Sequence, residues 1–94
     1  MYMIREVFTA KPGMASKLAK VFQEMAKLET RIRFRVMTDA VGPYNTVVME
    51  AETNSLGEFE KLMEDSPQMD KMREVMKGYT DMYLTGRREI YRLL

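Results

Sequence analysis

The 94-residue sequence contains no cysteine, no histidine and no tryptophan. Without cysteine there is no disulfide, no thiol nucleophile and no thiolate metal site, and without histidine there is no imidazole to relay protons or hold zinc. Zinc enzymes and serine or cysteine triads are thereby excluded, and the residues imply no cofactor. The missing tryptophan removes the largest aromatic stacking platform, although five tyrosines and four phenylalanines remain. An excess of one charge is also missing: 15 basic residues face 14 acidic ones, a net charge of +1. No long-range field draws the chain to nucleic acid or to an anionic membrane surface. No apolar run approaches the roughly 20 residues needed to span a bilayer. The start, "MYMIREVF", places Arg5 and Glu6 where a signal peptide needs an apolar stretch. A cytoplasmic location is expected.

What is present suits a folded chain of modest size. Hydrophobic residues make up 46% and charged residues 31%, enough apolar surface to offset chain entropy. The length predicts one domain over residues 1–94, near the size at which association adds to stability, so a homodimer is expected.

Periodicity then orders the elements. "MYMIREVFT" alternates, with Tyr2, Ile4 and Phe8 on one side and Met3, Arg5 and Val7 on the other, which predicts a strand. After the break at Pro12 and Gly13, the residues Leu18, Val21, Phe22, Met25 and Leu28 recur at helical spacing as far as Glu29 or Thr30. "RIRFRVMT" returns to a period of two, and "TVVMEAE" alternates again beyond a break at Gly42 and Pro43. Pairing Val36 with Met49 and Phe34 with Ala51 also sets Arg35 against Glu50 and Arg33 against Glu52, so one antiparallel register matches both faces. "SLGE" is a capping-box pattern that starts a helix at Ser55. Phe59, Leu62 and Met63 form its stripe, Ser66 and Pro67 restart it, and Met69, Met72, Val75, Met76 and Tyr79 carry it to about Thr80. A last strand follows, with Gly86 expected at a bulge or a bend. The order βαββαβ predicts an α+β, ferredoxin-like domain with a four-stranded antiparallel sheet and helices on one side.

Three stretches, "REVFTAKPG", "VGPYNTVVME" and "SLGEFEK", make the chain resemble the NIPSNAP-like branch of the dimeric α/β-barrel proteins. A Gly-Pro-x-Asn turn feeding a Val-Val strand is typical there, and Gly42, Pro43, Asn45, Val47 and Val48 match it. The family often places histidine and tryptophan after this turn, whereas this chain has Met49 and Glu50, so roles of those groups do not carry over. The resemblance implies a dimeric α/β barrel with a cavity between sheet and helices, and no settled activity.

The candidate ligand-binding residues are Tyr44, Asn45, Glu50, Tyr79 and Tyr83. Asn45 suits a turn by its tolerance of left-handed backbone, or it orients a ligand through its amide. The tyrosines offer phenolic donors beside an apolar cavity, or simply fill space. Glu50 is the carboxylate placed for proton transfer, or one half of an ion pair with Arg35. Arg87, Arg88 and Arg92 are less clearly paired and are available to a carboxylate, a neighbouring chain or solvent. Eleven methionines point to a deformable core or a pliable pocket. Two functions follow: a module that binds a small apolar ligand or has a structural role, and a cofactor-independent monooxygenase-like enzyme acting on a small aromatic or apolar substrate. An RNA-recognition platform fits poorly, because "TVVMEAE" carries acids and no aromatic on its strand.

Overall fold

Alternation in the first segment becomes β1, Tyr2–Ala10, in a computed structural model that describes residues 1–65 and 68–94. Its even-numbered side chains turn toward the helices and its odd-numbered ones toward the other face, as a pleated strand requires. Ile4 and Ala10 are fully buried as a result. Gly13, at φ +81°, turns the chain into α1, Ala15–Leu28. The buried stripe of α1 is Leu18, Ala19, Phe22 and Met25, and its next residue, Glu29, is already extended.

The predicted second strand is shortened at its start, because β2 spans only Phe34–Thr38. Arg31 accounts for the difference: its backbone N–H and side chain bind the Glu29 carboxylate, while its guanidinium also donates to the carbonyls of Leu62 and Asp65. A residue held this way is not available to a sheet. Against β3, Thr46–Thr53, the expected register is found, with Phe34 opposite Ala51, Arg35 opposite Glu50 and Val36 opposite Met49. The ladder begins at Phe34, which leaves Arg33 outside it.

Between β2 and β3 the chain is tied by Asp39, whose carboxylate accepts the backbone N–H groups of Tyr44 at 2.8 Å and Thr46 at 3.1 Å. Tyr44 and Asn45 both take left-handed backbone, at φ +75° and +56°. The two Asp39 bonds and a third from Ala10 N–H to the Asn45 carbonyl offset the strain this places on Tyr44.

Ser55 caps α2, Leu56–Glu64, by accepting the Glu58 N–H at 3.1 Å. The expected restart at Ser66 and Pro67 lies outside the described residues. A further helix, α3, covers Met69–Val75 and stops short of the expected Thr80. Gly78 at φ +80° ends the helical run, and a 3₁₀ turn over Tyr79–Asp81 leads into β4, Tyr83–Arg92.

All neighbouring strands are antiparallel, in the order β2-β3-β1-β4, with β1 and β3 in the centre. This is an α+β, ferredoxin-like arrangement. The bulge in β4 is at Leu84, not at Gly86: Thr9 faces Thr85 while Ala10 faces Tyr83. Gly86 instead lies opposite Phe8, and a Cβ there would stand 2.8 Å from the Phe8 ring. That ring packs against Phe22 at 5.0 Å and Tyr83 at 4.9 Å, and Tyr79 closes the circuit at 6.1 Å from Phe22 and 5.9 Å from Tyr83. Four aromatic rings therefore pin β1, α1, the 3₁₀ turn and β4 together.

Gly86→Ala should cost about 1–3 kcal/mol by forcing the Phe8 ring against its neighbours. Urea unfolding measures the loss, and Phe8→Leu in the same chain should recover part of it. Additive losses in the double variant would exclude the contact as the cause.

Candidate functional site

The gap between the sheet and the helices α1, α2 and α3 holds a cavity of about 460 Å³. Met25 on α1, Met49 on β3, Met63 on α2, and Met69, Met72 and Met76 around α3 all line it. Helical spacing brings the last four to the inner faces of their segments. Phe22, Phe34, Phe59 and Tyr79 contribute aromatic wall. Thioethers and rings of this kind adapt to an apolar guest with little strain.

Four charged residues share the lining: Glu6, Glu29, Arg73 and Arg88. Glu6 is there because of its even position on β1, and Arg88 because β4 places it directly across. The two form an ion pair, and the Arg88 guanidinium also lies 5.5 Å over the Phe59 ring. Glu29 sits deeper, with its side chain 3% exposed. Both its oxygens are bound by Arg31, at 2.9 Å in each case. The Arg31 hydrogen bonds outweigh burial and hold the Glu29 carboxyl below its ordinary value of 4.5. A second hollow of about 340 Å³ opens at β4 and shares Glu6, Phe8, Tyr79 and Arg88 with the cavity. The ion pair thus stands between the two spaces.

The residues singled out from sequence are distributed over three places. Tyr79 lines the cavity, and Tyr83 lines the outer hollow beside it. Tyr44 and Asn45 border a separate surface depression at the β2–β3 loop, where Tyr44 is 82% exposed. Glu50 points to the face of the sheet away from the helices. There it accepts hydrogen bonds from Arg5 on one oxygen and Arg35 on the other. Sequence reasoning missed Glu6 as a member of the site. Its signal was an acid in the core-facing register between Ile4 and Phe8, but the partner Arg88 is 82 residues away and visible only once β4 is aligned.

The same alignment builds a charge ladder on the open face. Arg35, Glu50, Arg5 and Glu89 follow one another across the four strands with alternating sign. Arg87 and Tyr91 donate hydrogen bonds to Glu89, and these hold its carboxyl below the usual range. Beside the ladder runs an apolar row of Met37, Val48 and Val7.

No protein-family model matches the chain, and no curated protein matches it in sequence. Solved structures do match it in shape. An uncharacterised NIPSNAP domain protein from Burkholderia xenovorans superposes with a TM-score of 0.75 at 17% identity, covering 100% of this chain and 95% of its own. A NIPSNAP-like domain protein from the same organism reaches 0.82 at 14% identity, with 99% and 84% covered. The chain has the NIPSNAP-like fold. The same fold is found in a candidate antibiotic biosynthesis monooxygenase from Nitrosomonas europaea, with a TM-score of 0.75 at 15% identity and coverage of 100% and 99%. At these identities the likeness extends to the fold that frames the cavity. The chemistry must be read from the residues themselves.

Because the Glu29 carboxyl is depressed in the folded chain, the stability it contributes is present above its unfolded value and is lost as pH falls through the folded one. Arg31→Gln should therefore be less stable than the native chain at neutral pH, and the gap should narrow on acidification below the carboxylate range. Urea midpoints across that pH range check it. A gap constant with pH would assign the whole effect to the Leu62 and Asp65 carbonyls.

Proposed function

We propose that this chain is a small-molecule-binding module that acts as a homodimer, with the methionine-lined cavity as its ligand site. The observation that carries the reading is the cavity itself: about 460 Å³, within the range of small-ligand sites, apolar over most of its wall and equipped with few polar groups. Tyr79 supplies a wall ring with a phenolic hydroxyl, and Tyr83 braces it from the outer hollow. Binding is favoured over catalysis because the two carboxylates beside the cavity, Glu6 and Glu29, are each engaged by an arginine. Glu50, the carboxylate considered for proton transfer, lies on the opposite face between Arg5 and Arg35. The monooxygenase reading draws its support from fold likeness to the Nitrosomonas protein.

A neutral apolar dye such as 1-aminoanthracene should bind saturably, with its fluorescence enhanced. Met76→Trp fills the cavity and should weaken binding at least tenfold, with the circular dichroism spectrum unchanged. Absence of saturable binding to the native chain would exclude the ligand site.

The dimer is supported by the character of the open sheet face. Arg35, Glu50, Arg5 and Glu89 compensate one another in the ladder, so covering that part of the face buries no net charge. In the adjacent row the exposed Met37 and the half-buried Val48 supply apolar area to bury. Packing of two such faces about a two-fold axis is the barrel that the fold family suggests. Sedimentation equilibrium at micromolar concentration should give the mass of two subunits. Val48→Lys should reduce it to one, whereas a native mass of one subunit would rule the dimer out.

A further inference from the structure

We infer that the ligand of the cavity is an amphipathic monocarboxylate, an apolar tail among the methionines with its carboxylate at Arg73 and Arg88. This rests on the reading of the cavity as a ligand site. The charged groups of the lining divide by depth. The Glu29 side chain is 3% exposed and that of Glu6 17%, whereas Arg88 is 51% exposed and Arg73 is exposed as well. The acids therefore lie inward and the lining cations stand at the mouth.

Each inward acid already has its own arginine, Arg31 for Glu29 and Arg88 for Glu6. What lacks a protein partner for part or all of its N–H groups, among the described residues of the lining, is cationic. Arg88 donates to Glu6 through Nε, and its Nη groups carry no hydrogen bond among the described residues. Arg73 has no ion pair or hydrogen bond among the described residues. Guanidinium N–H groups in this state match the planar geometry of a carboxylate, which accepts two at once. The Phe59 ring beneath Arg88 holds that half-exposed side chain against the cavity wall.

The same arrangement selects against other headgroups. A cation meets Arg73 and Arg88 at the entrance before it reaches Glu6. A neutral alcohol gains the apolar contacts but leaves the guanidinium groups as they are. A monoanion with a single tail satisfies both.

Calorimetric titration of the native chain with decanoate, decanol and decylamine at low and high salt tests the assignment. Decanoate should bind roughly three- to fivefold tighter than decanol at low salt, with decylamine weakest, as a partly exposed charge pair allows. High salt should bring decanoate and decanol together. Arg73→Gln should remove most of the preference of decanoate over decanol. Equal affinities in the native chain, or a preference that survives Arg73→Gln, would overturn this assignment and leave the cavity reading standing. Failure of all three to bind would overturn both.

Discussion

Strand β1 pairs along almost its whole length with β3 on one side and β4 on the other, and this double pairing decides what each face of the molecule carries. Its even positions bring Ile4, Glu6, Phe8 and Ala10 under the helices, and its odd positions bring Met3, Arg5 and Val7 to the open face. A slip of one residue against either neighbour would exchange the two sets. Glu6 would leave Arg88, Arg5 would leave Glu50 and Glu89, and the Phe8 ring would lose the space above Gly86. The cavity chemistry and the ladder are two results of one register.

The two ends of the cavity are built differently. At one end the rings of Phe8, Phe22, Tyr79 and Tyr83 form a closed packing unit. At the other, Arg31 joins the end of α1 to the end of α2 through Glu29, Leu62 and Asp65. Between these ends α2 buries only Phe59 and α3 buries no residue fully. Flexible methionine side chains line that loosely filled region, which is how a chain this small keeps internal space at all.

Much of this was legible in the sequence. The helical stripe of α1, the Ser55 cap and the β2–β3 register followed from local spacing, and the structure has each of them. The errors have local physical causes as well. Arg31 looked like a strand residue because it alternates with Ile32, yet its guanidinium is worth more as a link to Glu29 and two carbonyls than in a ladder. Gly86 looked like a bulge because glycine weakens strands, whereas it is there to admit a ring from the neighbouring strand. Asp39 passed unnoticed, although its carboxylate holds the left-handed Tyr44 in place.

By itself the sequence determined the elements, their amphipathic faces and the absence of thiol and imidazole chemistry, because these depend on residue type and on spacings of two to four positions. Only the tertiary structure decided which charges meet. Glu6 and Arg88 lie 82 positions apart and Arg5 and Glu50 lie 45 apart. Such pairs come from strand order, and strand order is a property of the whole chain. The same step moved Glu50 to the outer face and placed Arg73 and Arg88 at the mouth of an apolar cavity, which no local pattern could show.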